Sequence, residues 1–333
     1  MLKVSAFDLL ARQHFGVGPA PKPISSVFAV LPGTTGNDSL TGTASADTIN
    51  GDAGNDTLYG GGGNDSLVGG SGDDWLYGGD GNDILSASSG SDRLDGGLGD
   101  DAITGAPNGN DLIYGGAGND TLAASTGENY VSGGAGNDSI TASGGNDSLH
   151  GQGGNDSIAA GDGDNLVYGG DGADSLYALN GDDSVYGGIG SDSINGTRGN
   201  DLLFGDGGSD SIVGGYHNDS LSGGDGHDTL SGAQDNDTLN GGNGNDELSG
   251  GSGADVFIYG NSGGFDVVTD FNAEFDKLHI DKALGPDTLA ELRQLADDST
   301  NDLVITYSSG AQLTLRGVDF SDLVAHSGCV IFF

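Results

Sequence analysis

The sequence has little cysteine, few basic residues and no long apolar run, and each shortage excludes a class of protein. A single cysteine, Cys329, cannot form an internal disulfide. Nine Lys and Arg residues stand against 50 Asp and Glu residues, giving a net charge of −41, so nucleic acid and anionic membranes are unsuitable partners. No apolar run could span a bilayer. With 34% hydrophobic residues, such a chain should be disordered unless a multivalent cation neutralises it.

Glycine is abundant and follows a nine-residue repeat. The chain contains 68 Gly residues, and an apolar residue two places after an Asp or Asn recurs every nine residues from Leu40 to Phe257. One residue is inserted near residues 107–108. The result is 25 copies of Gly-Gly-x-Gly-x-Asp-x-U-x, where U is apolar and x is any residue. A regular spacing of this length is typical of solenoid proteins.

The period and the composition of the repeat favour a β-solenoid. Three residues centred on the apolar one form a short strand, and the six residues rich in Gly, Asn and Asp form a turn because Gly permits positive φ. A helix would need apolar residues at a 3.6-residue spacing and would not tolerate this much Gly. Two repeats therefore close one coil. We expect an all-β protein, a parallel β-roll with a small C-terminal capping region of strands plus a short helix.

The turns carry acidic residues that lack basic partners. Only Arg93 and Arg198 are basic within residues 36–259. One inward apolar residue in nine is too thin a core to hold the coils together alone. Carboxylates and backbone carbonyls are hard oxygen ligands, which suit Ca²⁺ better than Zn²⁺ or Cu²⁺. Asp residues that merely form turns would explain isolated turns but not aligned ladders without bases. We therefore predict that Ca²⁺ binds in the turns.

Alternate repeats lie on opposite edges of the roll and form two rows. The first row comprises Asp47, Asp65, Asp83, Asp101, Asp120, Asp138, Asp156, Asp174, Asp192, Asp210, Asp228 and Asp246. The second row comprises Asp38, Asp56, Asp74, Asp92, Asp111, Asn129, Asp147, Asn165, Asp183, Asp201, Asp219, Asp237 and Asp255. Both Asn substitutions and the insertion fall in the second row. Counting adjacent Asp pairs predicts up to about 19 calcium ions, with a gap between Asp111 and Asp183.

The run Gly78-Gly79-Asp80-Gly81-Asn82-Asp83-Ile84-Leu85 is a clear copy of the unit. In tandem, the unit resembles the nonapeptide of the RTX (repeats-in-toxin, haemolysin-type) calcium-binding family over about two-thirds of the chain. The resemblance implies that each Ca²⁺ lies between turns stacked one coil apart and shares Asp and carbonyl ligands from both. The carbonyl ligands expected on this basis are Gly61, Gly63, Gly79, Gly81, Gly116, Gly118, Gly134, Gly136, Gly170, Gly172, Gly188, Gly190, Gly224, Gly226, Gly242 and Gly244.

The two ends of the chain depart from the repeat. Residues 1–35 are interpreted as an N-terminal cap and linker with a short helix over residues 6–14, residues 36–259 as the roll, and residues 260–333 as a C-terminal cap and secretion region. Within the last region we expect a helix that begins at an Asp287 N-cap, with Leu289, Leu292 and Leu295 inward, and a hairpin around residues 309–310.

The motifs Ala254-Asp255-Val256-Phe257, Asp270-Phe271 and Asp276-Lys277-Leu278 resemble the C-terminal cap of serralysin-type RTX proteins. The apolar ending, residues 329–333, is similar to uncleaved type I secretion signals. These likenesses imply export by a type I ABC secretion machinery to the extracellular space or the cell surface. A cleaved signal peptide is not expected, because Asp8 and Arg12 interrupt the N-terminal apolar stretch.

The sequence contains no recognisable catalytic motif. None of the six His residues belongs to a His-Glu-x-x-His pair, and no Gly-x-Ser-x-Gly lies on a strand-to-helix turn. We therefore predict a stand-alone, non-enzymatic calcium-binding protein with a structural, adhesive or surface-interaction role. The alternative is a non-catalytic calcium-binding module of a secreted enzyme of the epimerase or protease type.

One outer face of the roll is expected to be aromatic. We refer to the outward residues of the sheet that follows the second row as the aromatic face. Such a face either binds a glycan or a cell-surface partner, or is covered by an N-terminal segment or merely stiffens the sheet. Its members are Tyr59, Trp75, Tyr77, Leu112, Tyr114, Tyr130, Leu166, Tyr168, Tyr186, Leu202 and Phe204.

Overall fold

A computed structural model describes residues 28–260, 264–299 and 301–333 of the chain. The chain divides into two compact units, Met1–Gly153 and Gly154–Phe333. The described part of each unit is a parallel β-roll, as the nine-residue repeat predicts. The helix predicted over residues 6–14 lies outside the described residues.

The first unit contains two sheets of parallel strands. The first sheet, which follows the first row, consists of Val30–Thr34, Thr48–Ala53, Ser66–Ser71, Ile84–Ser89, Ala102–Thr104, Thr121–Ala123 and Ser139–Thr141. The second sheet, which follows the second row, consists of Ser39–Thr41, Thr57–Gly62, Trp75–Asp80, Arg93–Leu98, Leu112–Ala117, Tyr130–Ala135 and Ser148–Gly153. Thr57 pairs with Trp75 one coil later, and Arg93 pairs with Leu112 across the inserted residue. The insertion therefore lengthens one turn and leaves the strand register intact.

The second unit continues the same pattern with its own pair of sheets. The first sheet contains Ser157–Ala159, Ser175–Asn180, Ser193–Arg198, Ser211–Tyr216, Thr229–Gln234, Glu247–Ser252 and Phe265–Val268, followed by Gln312–Leu315, Leu303–Thr306 and Ala296–Asp297. The second sheet contains Leu166–Asp171, Ser184–Ile189, Leu202–Gly207, Ser220–Gly226, Thr238–Gly244, Val256–Tyr259, Lys277–Ile280 and Val330–Phe332. Nearly all pairings are parallel, and the antiparallel ones join Leu303–Thr306 to Ala296–Asp297 and to Gln312–Leu315.

Most strands are six residues long, twice the length that the repeat predicts. In Thr57–Gly62 the apolar Leu58 and the small Gly60 both point inward and are buried. The Gly-rich half of each repeat is therefore part of the sheet, because its backbone groups bond to the next coil, as Gly63 N–H does to the Asp80 carbonyl oxygen at 2.7 Å. Glycine at the second inward position makes room for the turn that follows.

The core is a column of single apolar side chains, as predicted. From Ile49 to Phe257 the inward apolar residue of every repeat is at most 3% exposed. Leu40, in the first repeat, is only half-buried. Because successive side chains of a strand alternate between faces, each repeat contributes one large apolar side chain to this column.

The C-terminal region combines strands with two short helices. The hairpin is confirmed, with Leu303–Thr306 antiparallel to Gln312–Leu315. The expected helix is present as Leu289–Leu295, but its N-cap is Thr288, whose hydroxyl accepts the Glu291 N–H, so the Asp287 assignment was wrong.

Of the three leucines expected inward on this helix, only Leu292 is buried. A 3-10 helix, Lys282–Leu284, and a second α-helix, Phe320–Ala325, were not anticipated. The second α-helix has a full capping box between Asp319 and Asp322, a signal that the sequence displays.

Candidate metal centre

The turns of the roll depend on left-handed glycines. Gly79 and Gly81 have φ of 114° and 132°, and all sixteen glycines predicted as carbonyl ligands share a positive φ. A methyl group at Gly81 would collide with the carbonyl oxygen of Gly63, one coil earlier. The carbonyl oxygen of Gly63 therefore faces the equivalent glycine one coil later, and the same contact recurs at other pairs of turn glycines. Glycine adopts this backbone angle most easily, although Asp206 and Ala233 hold it at equivalent positions of other turns, with φ of 68° and 82°.

The aspartates of each row are stacked one coil apart. In the first row, the Oδ1 atom of Asp65 accepts the backbone N–H of Asp47 at 2.7 Å, and Asp83 accepts that of Asp65 in the same way. The second row repeats the arrangement, with Asp74 Oδ1 accepting the N–H of Asp56 at 2.8 Å. The structure thus places the two predicted rows as two separate ladders in each unit.

The ladder carboxylates are buried. Every predicted Asp ligand except Asp38 is at most 3% exposed, and Asp38 is half-buried. Residues 36–259 contain only two Lys or Arg residues, Arg93 and Arg198, so burial of so many carboxylates is costly unless a cation or a set of donors compensates their charge.

The second oxygen of most ladder carboxylates is buried and receives no hydrogen bond. A buried polar atom without a partner costs about 1–3 kcal/mol, and more when it is charged. Each of these Oδ2 atoms lies inside its own turn beside the first turn glycine or the alanine in its place, as Asp65 Oδ2 does beside Gly60. They belong to Asp56, Asp65, Asp74, Asp83, Asp92, Asp101, Asp120, Asp174, Asp183, Asp192, Asp201, Asp210, Asp219, Asp228, Asp237 and Asp246.

Burial raises the pKa of many ladder carboxyls, some of them well above the ordinary value. The pKa of Asp65 is raised to about 7 by desolvation, opposed by the hydrogen bond from Asp47 and reinforced by the charges of Asp83 and Asp47. The pKa of Asp219 is raised to about 8, again chiefly by desolvation and further by Asp201 and Asp237. Without a cation, the ladders therefore do not hold their full charge at neutral pH.

The donor atoms fit calcium. In the part of the chain that the structure describes, no group of three or more His, Cys, Asp or Glu side chains is arranged around a single point. An ion between two turns would therefore take one or two carboxylate oxygens and complete its shell with glycine carbonyls. Hard oxygens, many of them uncharged, are the ligand set of Ca²⁺ and are unsuited to Zn²⁺ or Cu²⁺.

At four turns the carboxylate is satisfied by its own loop. Asp38 Oδ2 accepts the N–H of Thr34 at 2.6 Å, and Asp111 Oδ2 accepts that of Ala106 at 2.7 Å. Asp47 and Asp276 are bonded in the same way by Thr43 and Asn272. Asp38 and Asp47, both predicted ligands, lie in the first coil. Because their second carboxylate oxygens already accept a hydrogen bond, they depend less on a cation than later members of the ladders.

Each ladder has one more member than the repeats indicate. Asp266 Oδ1 accepts the N–H of Asp246, and Asp276 Oδ1 accepts that of Asp255, both at 3.0 Å. These residues were missed because the spacing to them is 20 and 21 residues instead of 18. Their signal is present in the sequence, since each is an Asp followed two places later by Val268 or Leu278.

The aromatic face consists largely of rings that stack on one another. Tyr168 and Tyr186 have ring centroids 4.9 Å apart and planes 12° apart, and Tyr186 and Phe204 are related in the same way at 5.0 Å and 7°. Tyr59 and Tyr77 form a second such pair. The inner ring faces are covered by neighbouring rings, which supports the stiffening interpretation of this surface.

A parallel β-roll with buried, stacked carboxylates and glycine carbonyls in its turns defines a class of repeat proteins whose turns are suited to metal ions. The family model for the RTX calcium-binding nonapeptide repeat matches residues 32–67 and 68–103, then overlapping segments from 108 to 264. The chain therefore belongs to the RTX calcium-binding repeat family.

Two solved structures are similar to the chain in fold. One is the extracellular lipase LipA from Serratia marcescens, with 19% identity, 75% of this chain and 44% of the lipase covered, and a TM-score of 0.32. The other is a hyperactive, Ca²⁺-dependent, β-helical antifreeze protein from an Antarctic bacterium, with 19% identity, 75% and 86% covered, and a TM-score of 0.39. The chain thus spans less than half of the lipase. None of the curated proteins matches it.

Proposed function

We propose that this chain is a secreted calcium-binding RTX protein that folds when Ca²⁺ enters its turns outside the cell. The observation that carries the proposal is the column of buried Oδ2 atoms without donors, found on both ladders of the roll. Ca²⁺ would supply the missing positive charge and would bind the carboxylates of two successive coils together. Because the sites exist only in the stacked coils, binding energy becomes folding energy.

The same coupling suits export. In a cytosol poor in free calcium the acidic chain would remain unfolded, a state suited to type I export, and millimolar calcium outside would then fill sites of the weak affinity common in extracellular modules. The apolar C-terminal residues support this route by their likeness to type I signals. In the described residues, moreover, no helix is long and apolar enough to cross a membrane.

We assign three regions to this function. Residues 1–35 act as the N-terminal cap and linker, residues 36–259 as the calcium-binding roll, and residues 260–333 as the C-terminal cap and secretion region. Strand pairing supports the capping role of the last region, because Lys277–Ile280 and Val330–Phe332 continue the second sheet beyond the final repeat.

The metal ligands that we propose are the ladder aspartates and the left-handed glycine carbonyls named from the sequence. The ions number up to about 19, if each adjacent Asp pair of a ladder holds one. The decisive experiment is circular dichroism of metal-stripped protein titrated with CaCl₂, with MgCl₂ as the control. Cooperative gain of β-structure with Ca²⁺ alone is expected. The same spectrum in chelator and in millimolar calcium would contradict the proposal.

The role of the folded roll is structural, adhesive or surface-binding, and no catalytic group is needed for it. The alternative remains a calcium-binding module of a secreted enzyme. Assays of alginate and casein turnover distinguish the two, since any turnover by the pure chain would favour the enzyme.

Exposed apolar side chains on the aromatic face support a contact with a glycan or a cell-surface partner. Trp75 is 47% exposed and Leu202 is 45% exposed. Replacing both with Ser changes the surface but spares the stacked rings. Retention of the two-Ser variant on polysaccharide beads or whole cells at wild-type levels would exclude this face as the contact.

A further inference from the structure

The second ladder is interrupted in the first unit by a side-chain amide. Asn129 Oδ1 accepts the N–H of Asp111 at 3.0 Å, as a ladder aspartate would. Its Nδ2 group donates to the carbonyl oxygen of Gly127 at 3.2 Å and to Asp147 Oδ1 at 2.9 Å. A turn carbonyl and the carboxylate of the next coil are the two kinds of oxygen that a calcium ion would join at an ordinary turn. Here a neutral amide already joins them.

The preceding turn of this ladder is also complete without an ion. Asp111 Oδ1 accepts the N–H of Asp92 at 2.9 Å, and its Oδ2 accepts that of Ala106 at 2.7 Å. The inserted residue lies in this loop, between Ala106 and Asp111. Both oxygens of Asp111 are therefore bonded to backbone donors, in contrast to Asp74 and Asp92, whose Oδ2 atoms receive none.

Alanine methyls fill the same edge of the roll. Ala106 and Ala124 are fully buried and Ala142 is 9% exposed. Ala124 stands five residues before Asn129, the place that Gly60 holds before Asp65, and a methyl at Gly60 would collide with Asp65 Oδ2. Ala87 holds the same place before Asp92, so the methyl by itself does not exclude a carboxylate at the ladder position.

The second unit contains the same pair of replacements independently. Ala160 is fully buried, and Asn165, five residues later, donates from Nδ2 to the Gly163 carbonyl oxygen at 2.9 Å. Both Asn residues of the second ladder follow an Ala in place of the first turn glycine, and Ala also stands there before Asp92, Asp147 and Asp183. The Asn amide, and not the Ala methyl, therefore distinguishes these two turns from those of Asp92 and Asp183, whose Oδ2 atoms receive no hydrogen bond.

We propose that the second-ladder turns from Ala106 to Asp147 are calcium-independent, with the Asn129 amide and the Ala106 N–H in the role that Ca²⁺ has elsewhere. The coils of this segment need ions along their first-ladder edge only. They therefore fold at a lower calcium concentration than coils that need ions along both edges, and they provide the nucleus on which the rest of the first unit forms. This inference rests on the proposed calcium-driven folding.

Hydrogen exchange of the full chain, followed by mass spectrometry along a calcium titration, tests the inference. Peptides within residues 106–147 should reach half-maximal protection at a lower calcium concentration than peptides within residues 183–237, where both ladders are Asp. Equal midpoints would overturn the inference but not the proposed function. If no peptide gains protection with calcium, the proposed function itself fails.

Variants of the amide give a second readout. Asn129→Asp replaces the donor with a carboxylate beside Asp147 and should raise the calcium midpoint of residues 106–147 about tenfold, the effect of losing a hydrogen bond to a charged group. Asn129→Ala, which adds no charge, should shift the midpoint in the same direction. Asn110→Asp is the matched control: it adds the same charge at an exposed position of the same turn and retains the acceptor for the Glu128 N–H. Equal midpoints for the Asp variants at 129 and 110 would overturn the inference.

Discussion

Asp192→Asn removes one member of the first ladder with the least possible change in shape. Asp192 Oδ1 accepts the N–H of Asp174 at 2.8 Å, and an Asn side chain retains that acceptor. The Oδ2 atom, buried and without a donor, becomes an amide nitrogen that cannot bind a cation. Because a ladder carboxylate faces the turns before and after it, the substitution disables the two calcium sites that share it.

The expected loss follows from the linkage between binding and folding. A site with a Kd of about 0.1 mM stabilises the fold by about 1.4 kcal/mol at about 1 mM free calcium. Losing two such sites costs about 3 kcal/mol. We therefore expect the free energy of unfolding in 1 mM calcium to fall by about that amount and the bound-ion count to fall by one or two.

Urea unfolding at fixed free calcium measures the first quantity, and native mass spectrometry measures the second. Asp171→Asn is the matched control, because it removes the same charge from an exposed side chain outside the ladder. If Asp192→Asn and Asp171→Asn lose the same stability and the same number of ions, the shared-ligand reasoning is wrong.

Three further outcomes are expected. Burial raises the folded-state pKa of many ladder carboxyls above the unfolded value of 3.8, to about 8 for Asp219 and about 7 for Asp65, so the metal-free fold binds extra protons and its stability rises as pH falls from about 8 to 4. Circular dichroism of metal-stripped protein should therefore show a gain of β-structure on acidification. An acid titration without that gain would contradict the inference that burial raises the pKa of the ladder carboxyls. Gly188→Ala places a methyl at φ 110° against the Gly170 carbonyl oxygen and should raise the calcium midpoint for folding measured by dichroism; an unchanged midpoint would show that this turn has room. Leu203→Ala in the core should cost about 2–5 kcal/mol in urea unfolding, whereas Leu202→Ala, its 45% exposed neighbour, should cost about 0.5 kcal/mol or less; equal losses would refute the single-column core.

The sequence alone determined the architecture and the positions of the ladders. Because one apolar residue recurs at the same place in each nine-residue repeat, the sequence identifies it as the inward residue. The core residues from the repeat of Ile49 to the repeat of Phe257 could therefore be predicted without a structure. The same spacing separates the two rows of aspartates, because alternate repeats fall on opposite edges. Local signals at the C-terminus were weaker: the hairpin was found, but the first helix was given the wrong N-cap, since Asp287 and Thr288 are both good capping residues.

Only the tertiary structure decided which hydrogen-bond donors reach the two oxygens of each ladder carboxylate. Hydrogen bonds between coils join residues 18 or more positions apart, and their geometry depends on loop length and on the space beside each glycine. That is why the structure, and not the repeat, distinguishes Asp111, bonded by its own loop, from Asp92, whose second oxygen lacks a donor. It also revealed Asp266 and Asp276 as ladder members, because backbone stacking tolerates the longer connections that break the sequence period.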